Sequence, residues 1–457
     1  MAALTLPAEL QRRDKERRAG YARHLAFYGG AQWASPTRAE RRRRRLTINY
    51  VKPIIHKVTA ALLKGMAVTV PPVDESDEAL RRADEVEVAL AQVAEQNGLE
   101  ELDFDTEVDA AVLGDGVFKV WWDTDFEMVR VSAPDPAGVW AWTFADDPSR
   151  TWRVATQYKL EAEAARETLG LSGAGLRALE DRRANRITED WTVATYERWV
   201  NDVRETAGPN PYGVIPFVVF PNIREPKQQW GESDVTALRQ AQEELNRTLT
   251  QLSLIMELSG NPIAVLEGVT EAQDIAVEPG ELWTLPEKAK AYLLDLLGKG
   301  GAGLHMDYLE AVYRALFDVG ETPRTAFGGA SANISGVALE LDLDPLVKKV
   351  NRKRILRARA YRERSGLILS MLDQFTGTAF GEVSTGVSWG SVLPTDRDRE
   401  VDNEVAMVGA GIHSRRHAAD ELGAVADPDA EFDRWEEEQR RVTAAGGAAT
   451  APAPPRE

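Results

Sequence analysis

Along GESDVTALRQAQEELNRTLTQLSLIMELSGNP, residues 231–262, apolar side chains return at three- and four-residue steps: Val235, Leu238, Leu245, Leu249, Leu252 and Met256, with the small Ala241 between them. That spacing lays one apolar stripe along a long amphipathic helix. Ser233 or Asp234 can accept hydrogen bonds from the free N–H groups at its start, and Gly260 with Pro262 ends it, because Gly tolerates a left-handed cap and Pro cannot continue the ladder. At the usual rise per residue the rod is roughly 40 Å long. Its other side is polar, with Arg239, Gln240, Glu243, Glu244 and Arg247. A narrow stripe on so long a rod predicts packing against neighbours more than burial in a core.

The same periodicity predicts a basic helix over 8–28, then a helix in LTINYVKPIIHKVTAALLKG with Ile54, Ile55, Val58, Ala61 and Leu62 on one face, stopped by Gly65. An acidic helix follows over 75–96 and a shorter one over 99–113, closed by Gly114. From there to about Phe220 the pattern changes to alternation, predicting strands in GVFKVWW, FEMVRVSA, GVWAWTF, TWRVATQYKL, DWTVATYERWV and VIPFVVF, with a helical excursion over 161–183. Seven of the twelve Trp fall between Trp121 and Trp199, which reads as half-buried strand packing before it reads as a ligand platform. Residues 261–301 give short β-like runs. A helix is expected over 304–317, a Gly/Ser/Thr loop over 320–336, and a very long helix over 337–374 that either kinks or restarts at Pro345. A strand over 382–393, helices over 396–408 and 429–442 and a patternless tail complete the chain.

At 457 residues two or more domains are expected, with 43% hydrophobic and 28% charged residues and no apolar run of membrane-span length. The first residues lack an apolar signal-like core, and nothing directs the chain out of the cytoplasm. Zero cysteines exclude disulfides, thiolate nucleophiles and cysteine zinc sites. The net charge of −18 is laid out in blocks. Residues 1–57 carry fourteen Lys/Arg against four acids, 71–109 carry fourteen acids against two Arg, and 348–364 carry nine bases against one acid. Five consecutive arginines, Arg41 to Arg45, read either as a phosphate-binding arm or as a solvated or subunit-contacting face.

Chemistry is sparse. Gly298, Gly300 and Gly303 match G-x-G-x-x-G but lack the βαβ unit and terminal acid of a dinucleotide site. His413 and His417 share a helix face with Ser-Arg-Arg between them and no Glu to act as base, and His56 reads as structural. No G-x-S-x-G occurs. Neither a catalytic residue, a metal ligand nor a cofactor site is assigned, and the chain is expected not to be an enzyme.

The order of LTINYVKPIIHKVTAALLKG, WGESDVTALRQAQEELNRTLTQLSLIMELSGNPI, TAFGGASANISGVALELDLDPLVKKVNRKR and VSWGSVLPTDRDREVDNEVAMVGAGIHSRRHAADELG resembles that of the portal proteins of tailed bacteriophages, the head-to-tail connector subunits of long-tailed phages of Gram-positive hosts. The resemblance spans residues 46 to about 423. It implies an α+β portal fold: a wing over 1–229 with a basic arm at 1–45, a first stem helix over 230–260, a small α/β clip over 261–301 and a second stem helix over 302–319. A tunnel loop over 320–336, a long wing helix and strand over 337–395, a helical crown over 396–443 and a disordered tail over 444–457 complete it. It further implies a ring of about a dozen copies at one capsid vertex in the virion, assembled in the host cytoplasm, through which double-stranded DNA is packaged and ejected. The implied partners are other copies of the chain, non-specifically bound DNA, the packaging motor (terminase large subunit), a head–tail connector or adaptor, and the capsid and scaffold proteins; no membrane and no cofactor are implied. On this reading Val235, Leu238, Leu245, Leu249, Leu252 and Met256 meet the adjacent subunit and the polar face of that helix is where the channel wall is sought. Thr322, Arg324, Thr325, Gly328, Gly329, Ser331, Asn333, Lys348 and Lys349 form the tunnel-loop surface, with Arg324, Lys348 and Lys349 making transient phosphate contacts. Two alternatives remain at this level: a helical virion or scaffold protein without a DNA channel, and a nucleotide-dependent enzyme using the Gly298 region.

Overall fold

The basic N-terminal stretch forms two helices, α1 (Leu6–Arg12) and α2 (Lys15–Tyr28), where the sequence predicts one. Arg13 is extended and Asp14 adopts φ +52°, a left-handed conformation that Asp tolerates better than most residues, so the chain turns between them. The computed structural model describes residues 5–33, 45–181, 183–260, 264–267, 290–293, 301–328, 336–381, 383–393, 397–423 and 428–446. They fall into two units, residues 1–392 and 393–457.

α3 (Val51–Leu63) buries Val51, Ile54, Ile55, Val58 and Leu62, and its His56 pairs with the Tyr28 hydroxyl at 2.6 Å. After β1 (Ala67–Thr69), α4 (Asp77–Asn97) starts on Ser76, whose Oγ accepts from the Ala79 N–H, and ends on left-handed Gly98. α5 (Leu99–Leu113) ends at Gly114, φ +115°. A Cβ on Gly114 would lie 2.7 Å from the Gly231 carbonyl oxygen, so glycine permits both the turn and the close approach of the segment that leads into the long rod. Gly114→Ala is therefore expected to cost about 1–3 kcal/mol from backbone strain, with the overlap added, read as a lower urea midpoint at unchanged slope.

β2 (Asp115–Asp123) and β3 (Met128–Ser132) begin one antiparallel sheet, and β4 (Val139–Thr143) and β5 (Thr151–Leu160) begin another. The predicted excursion contains α6 (Ala162–Thr168) and α7 (Gly173–Arg177). β6 (Asn185–Thr192), β7 (Thr195–Val200) and β8 (Val203–Pro209) complete a five-stranded meander in the order β4-β5-β6-β7-β8. β9 (Phe217–Pro221) returns to pair with β2, giving the order β3-β2-β9. The tryptophans pack as strand residues do: Trp140 is fully buried with Leu10 and Ala155, and Trp191 contacts Tyr196, Tyr212 and Phe217.

The short pair β10 (Ile223–Arg224) and β11 (Gly231–Glu232) leads into α8 (Asp234–Gly260), the predicted rod. Of residues 261–300 only β12 (Ala264–Glu267) and β13 (Lys290–Leu293), an antiparallel pair, are described. α9 (Gly301–Val319) pairs with α8, and α10 (Gly336–Thr376) is a single 41-residue helix that runs through Pro345. The expected strand over 382–393 is reduced to β14 (Gly386–Ser388), which pairs with β1. In the second unit, α11 (Arg397–Gly409), α12 (Arg415–Glu421) and α13 (Pro428–Gly446) pack with the Arg415 guanidinium over the Trp435 ring. The sequence pattern predicts the first and last of these but reads α12 as a connection.

Two apolar clusters hold the longest helices in place. One joins the β3-β2-β9 sheet to α4, α5 and α10 through Phe118, Val120, Phe220, Tyr361 and Ile368. The other gathers α2, α3, α5, α8 and α9 around Tyr21, Ile54, Leu113, Leu238 and Leu316. α5 lies between the two, so the rod and the long helix α10 are fixed to the same central element.

Candidate functional site at the root of the two longest helices

α8 begins where four segments meet. The Ser233 hydroxyl accepts from the Val235 N–H at 3.1 Å and donates to the Val112 carbonyl at 2.5 Å, capping α8 on the last turn of α5. Asp115 Oδ1 accepts from the Gly231 N–H at 2.8 Å, and its Oδ2 accepts from the Tyr21 hydroxyl. Burial pushes the Asp115 carboxyl up to about 6, against the hydrogen bonds from Tyr21 and Gly231 and the nearby Arg17. Arg17 donates to the carbonyls of Pro136 and Val139 and lies 3.8 Å over the Trp230 ring.

From the other side the root is clamped by α10. Lys349, Lys353, Arg357, Tyr361 and Arg364 follow one face of that helix, and each is buried. Lys353 Nζ donates to Asp234 Oδ2 at 2.5 Å and to Asn222 Oδ1 at 2.8 Å. Lys349 Nζ lies 3.5 Å from Asp234 Oδ1 and donates to the Gly320 carbonyl at 3.0 Å. Arg357 donates through Nε to both Glu107 oxygens at 2.6 and 2.8 Å, and through Nη1 to the carbonyls of Pro221 and Asn222. Arg364 makes a two-pronged pair with Asp103. Burial alone raises the Asp234 carboxyl, but the charges of Lys353 and Lys349 overcome it and hold the group at about 2. Burial lowers Lys353 to about 8, partly offset by Asp234. Nearby, Arg354 donates to the carbonyls of Ala61 and Leu62, closing the C-terminal end of α3 on α10.

These contacts correct two sequence expectations. Val235, Leu238 and Leu245 are at most 1% exposed, covered by α2, α3, α5 and α9 of the same chain, so they are not surface for an adjacent copy. The stripe is wide enough at its root to be used up internally. Farther along, Leu249 is partly covered by the same cluster, Leu252 is half-buried and Met256 is 65% exposed. Lys349 is likewise spent inside the chain and is not available to phosphate, whereas Lys348 projects outward and pairs with Asp344 at 2.7 Å.

The loop after α9 is described over residues 320–328. The Thr322 hydroxyl, fully buried, donates to the Gly320 carbonyl at 2.9 Å, the same oxygen that Lys349 holds. Glu321, at φ +50°, pairs with exposed Arg352 at 2.6 Å. A 3₁₀ turn over Arg324–Phe327 ends at left-handed Gly328; Arg324 is exposed, with its guanidinium 5.4 Å over the Tyr313 ring, and the Thr325 hydroxyl donates to Asp342. Gly329, Ser331 and Asn333 lie outside the described residues. The polar face of α8 keeps Arg239, Glu243, Glu244 and Arg247 paired among themselves at its surface. Gln242 and Asn246 on that helix belong to no motif that the sequence singles out, and both are fully buried.

Paired helices are locked at their root to a long third helix, with a short β pair at the hairpin's far end and a polar loop at its return. The sequence matches the family of phage portal proteins, SPP1 Gp6-like, over residues 10–444. The chain belongs to that portal family. No curated protein matches the sequence. Portal proteins are structural components of the virion capsid that assemble as multimeric rings and work with the packaging machinery, and the mixed helix and sheet content of this chain agrees with the portal fold. Among the described residues of this portal protein no helix is long and apolar enough to cross a membrane.

Proposed function

We propose that this portal subunit forms a closed ring of about twelve copies whose central channel passes double-stranded DNA during packaging and ejection. In this reading α8 and α9 are the stem, the stretch between them is the clip that meets the terminase large subunit and later a head–tail adaptor, and residues 1–229 with 337–395 form the wing. Residues 320–336 are the tunnel loop and 396–443 the crown; capsid and scaffold proteins surround the assembly, built in the host cytoplasm.

The observation that carries the reading is the contrast along the stem. Its root is buried and locked by ion pairs, while its distal half leaves Leu254, Met256, Leu304, Met306 and Tyr308 between 47% and 73% exposed. Large apolar side chains left this exposed on a single chain are available to an interface, and a head-to-tail contact that closes on itself makes a ring. With about twelve copies each at −18, the assembly repels a duplex, so DNA slides through it without being held tightly.

Arg324 in the loop and Lys348 on α10 are exposed cations available to passing phosphates. Arg324→Ala is expected to leave ring formation intact and to lower retention of packaged DNA several-fold in a packaging assay, an effect that fades at high salt. Unchanged retention assigns Arg324 to stacking on Tyr313 instead.

A further inference from the structure

The C-terminal part of α3, β1, α4, the first turns of α5 and α10 border a groove of about 1200 Å³ within the N-terminal unit. Its floor is apolar: Leu90, Leu99 and Ile368 are at most 6% exposed, and Leu63, Met66 and Val68 are half-buried around them. Ala60 of α3, Ala67 of β1 and Ala91 and Ala94 of α4 line the walls, and their short side chains leave the space between these elements open. Small-molecule pockets measure about 300–1,000 Å³. One turn of α-helix, about 11 Å across with its side chains and about 5.4 Å in pitch, fills roughly 500 Å³, so the groove matches about two turns of a helix.

The rim of the groove is acidic. Glu100, Glu101 and Asp105 line it from α5, all three exposed, and their carboxylates have no ion-pair or hydrogen-bond partner among the described residues. Glu87, on the α4 side, is spent on the Val70 N–H at 2.6 Å. Of the two bases in the lining, Arg364 is paired with Asp103, and Lys64 is the other. The excess extends past the rim, because both arginines of the acidic block over 71–109 are engaged elsewhere: Arg81 with Glu85 at 3.0 Å, and Arg82 with the carbonyls of Ala379 and Phe380.

α5 itself shows what answers such a row. Asp103 and Glu107, one turn apart, receive Arg364 and Arg357 of α10. Glu101 and Asp105 have the same spacing on the same helix, and like charges four residues apart repel one another. No helix among the described residues supplies cations to them. A helix with Lys or Arg one turn apart beside an apolar stripe complements both rim and floor, which is the helix-in-groove mode of recognition.

We propose that this groove docks a basic amphipathic helix of another protein, its apolar stripe covering Leu63, Met66 and Val68 and its Lys or Arg residues pairing with Glu101 and Asp105. The groove lies within one chain, so its binding is measured whether or not rings form. The test is fluorescence anisotropy on the full chain with two labelled helical peptides of about 18 residues, which share a Leu stripe and carry either Lys or Glu beside it. The parent is expected to bind the Lys peptide at least about ten-fold more tightly than the Glu peptide. Ala91→Trp, which fills the groove and leaves the charge unchanged, is expected to weaken the Lys peptide at least about five-fold. Glu101→Lys with Asp105→Lys is expected to reverse the preference. All three positions are exposed, and a parent-like urea midpoint confirms that each variant folds. Equal affinity of the parent for the two peptides overturns the proposal. So does a Lys peptide that binds folded Ala91→Trp as it binds the parent, since attraction to the acidic chain as a whole then explains it. Loss of association between copies in Ala91→Trp, read by native mass spectrometry, also overturns it and assigns the groove to a second copy of the chain.

Discussion

Arg357→Met is expected to lower the unfolding free energy of the N-terminal unit by about 3–5 kcal/mol, because it strands the Glu107 carboxylate in the interior without its partner. Arg357 is fully buried and Glu107 is 2% exposed, and the guanidinium also satisfies the Pro221 and Asn222 carbonyls where β9 turns toward the stem. A buried pair gains its Coulomb energy only against a large desolvation cost, so the damage of the single change comes mainly from the charge left behind. The double change Arg357→Met with Glu107→Leu is therefore expected to recover most of the loss, to within about 2 kcal/mol of the parent. Urea unfolding of the four chains of this cycle measures it. A single variant within about 1 kcal/mol of the parent contradicts the assignment of this pair as the tie between α5 and α10.

Asp234→Asn is expected to have a comparable effect at neutral pH, about 3–5 kcal/mol, by leaving Lys349 and Lys353 facing each other without the carboxylate that neutralises them. Its pH dependence is distinctive. The Asp234 carboxyl is held at about 2 in the folded chain against 3.8 as a free group. Between those values the unfolded chain binds the proton and the folded chain does not, so the stabilisation is complete above about pH 4 and is lost as the pH falls through 2; it amounts to roughly 2 kcal/mol. Thermal melts from pH 5 to pH 2 should show the gap between parent and Asp234→Asn narrowing by that amount. A gap that stays constant over this range contradicts the pairing. Because Lys349 also holds the Gly320 carbonyl, release of Asp234 frees the end of α9 along with the start of α8.

The elements that local pattern controls are legible in the sequence. The limits of α8 follow from Ser233 at one end and Gly260 at the other, and Gly98 and Gly114 close their helices as left-handed caps. The break between α1 and α2 is not legible, since Asp14 carries no signal that marks its positive φ in advance. At Pro345 the pattern allows a kink or a new helix; Leu346 and Val350 just beyond it pack on Val58 and Leu62 of α3, and Tyr361 and Ile368 farther on pack in the sheet core, which carries it through as one.

The site is legible only in outline. A stripe of apolar residues states that something covers it and not whether that is the same chain, which is why Val235, Leu238 and Leu245 read as contacts to a neighbour. The basic block over 348–364 looks like surface because charges usually are. One signal is present: Asp103 and Glu107 stand four apart on a largely buried helix, and Arg357 and Arg364 stand two turns apart on another. Matched rows of opposite charge on two such helices point to a buried clamp. Gln242 and Asn246 are invisible for a different reason, since their partners, the backbone of 48–50 and the Gln32 amide, lie about two hundred residues earlier.

The ring is the central claim, and imaging the assembly tests it most directly. Electron cryomicroscopy of the purified full-length chain is expected to show closed rings of about twelve subunits with a central channel wide enough for one duplex, and with α8 and α9 lining or flanking that channel. Monomers, or open filaments without a central hole, contradict it.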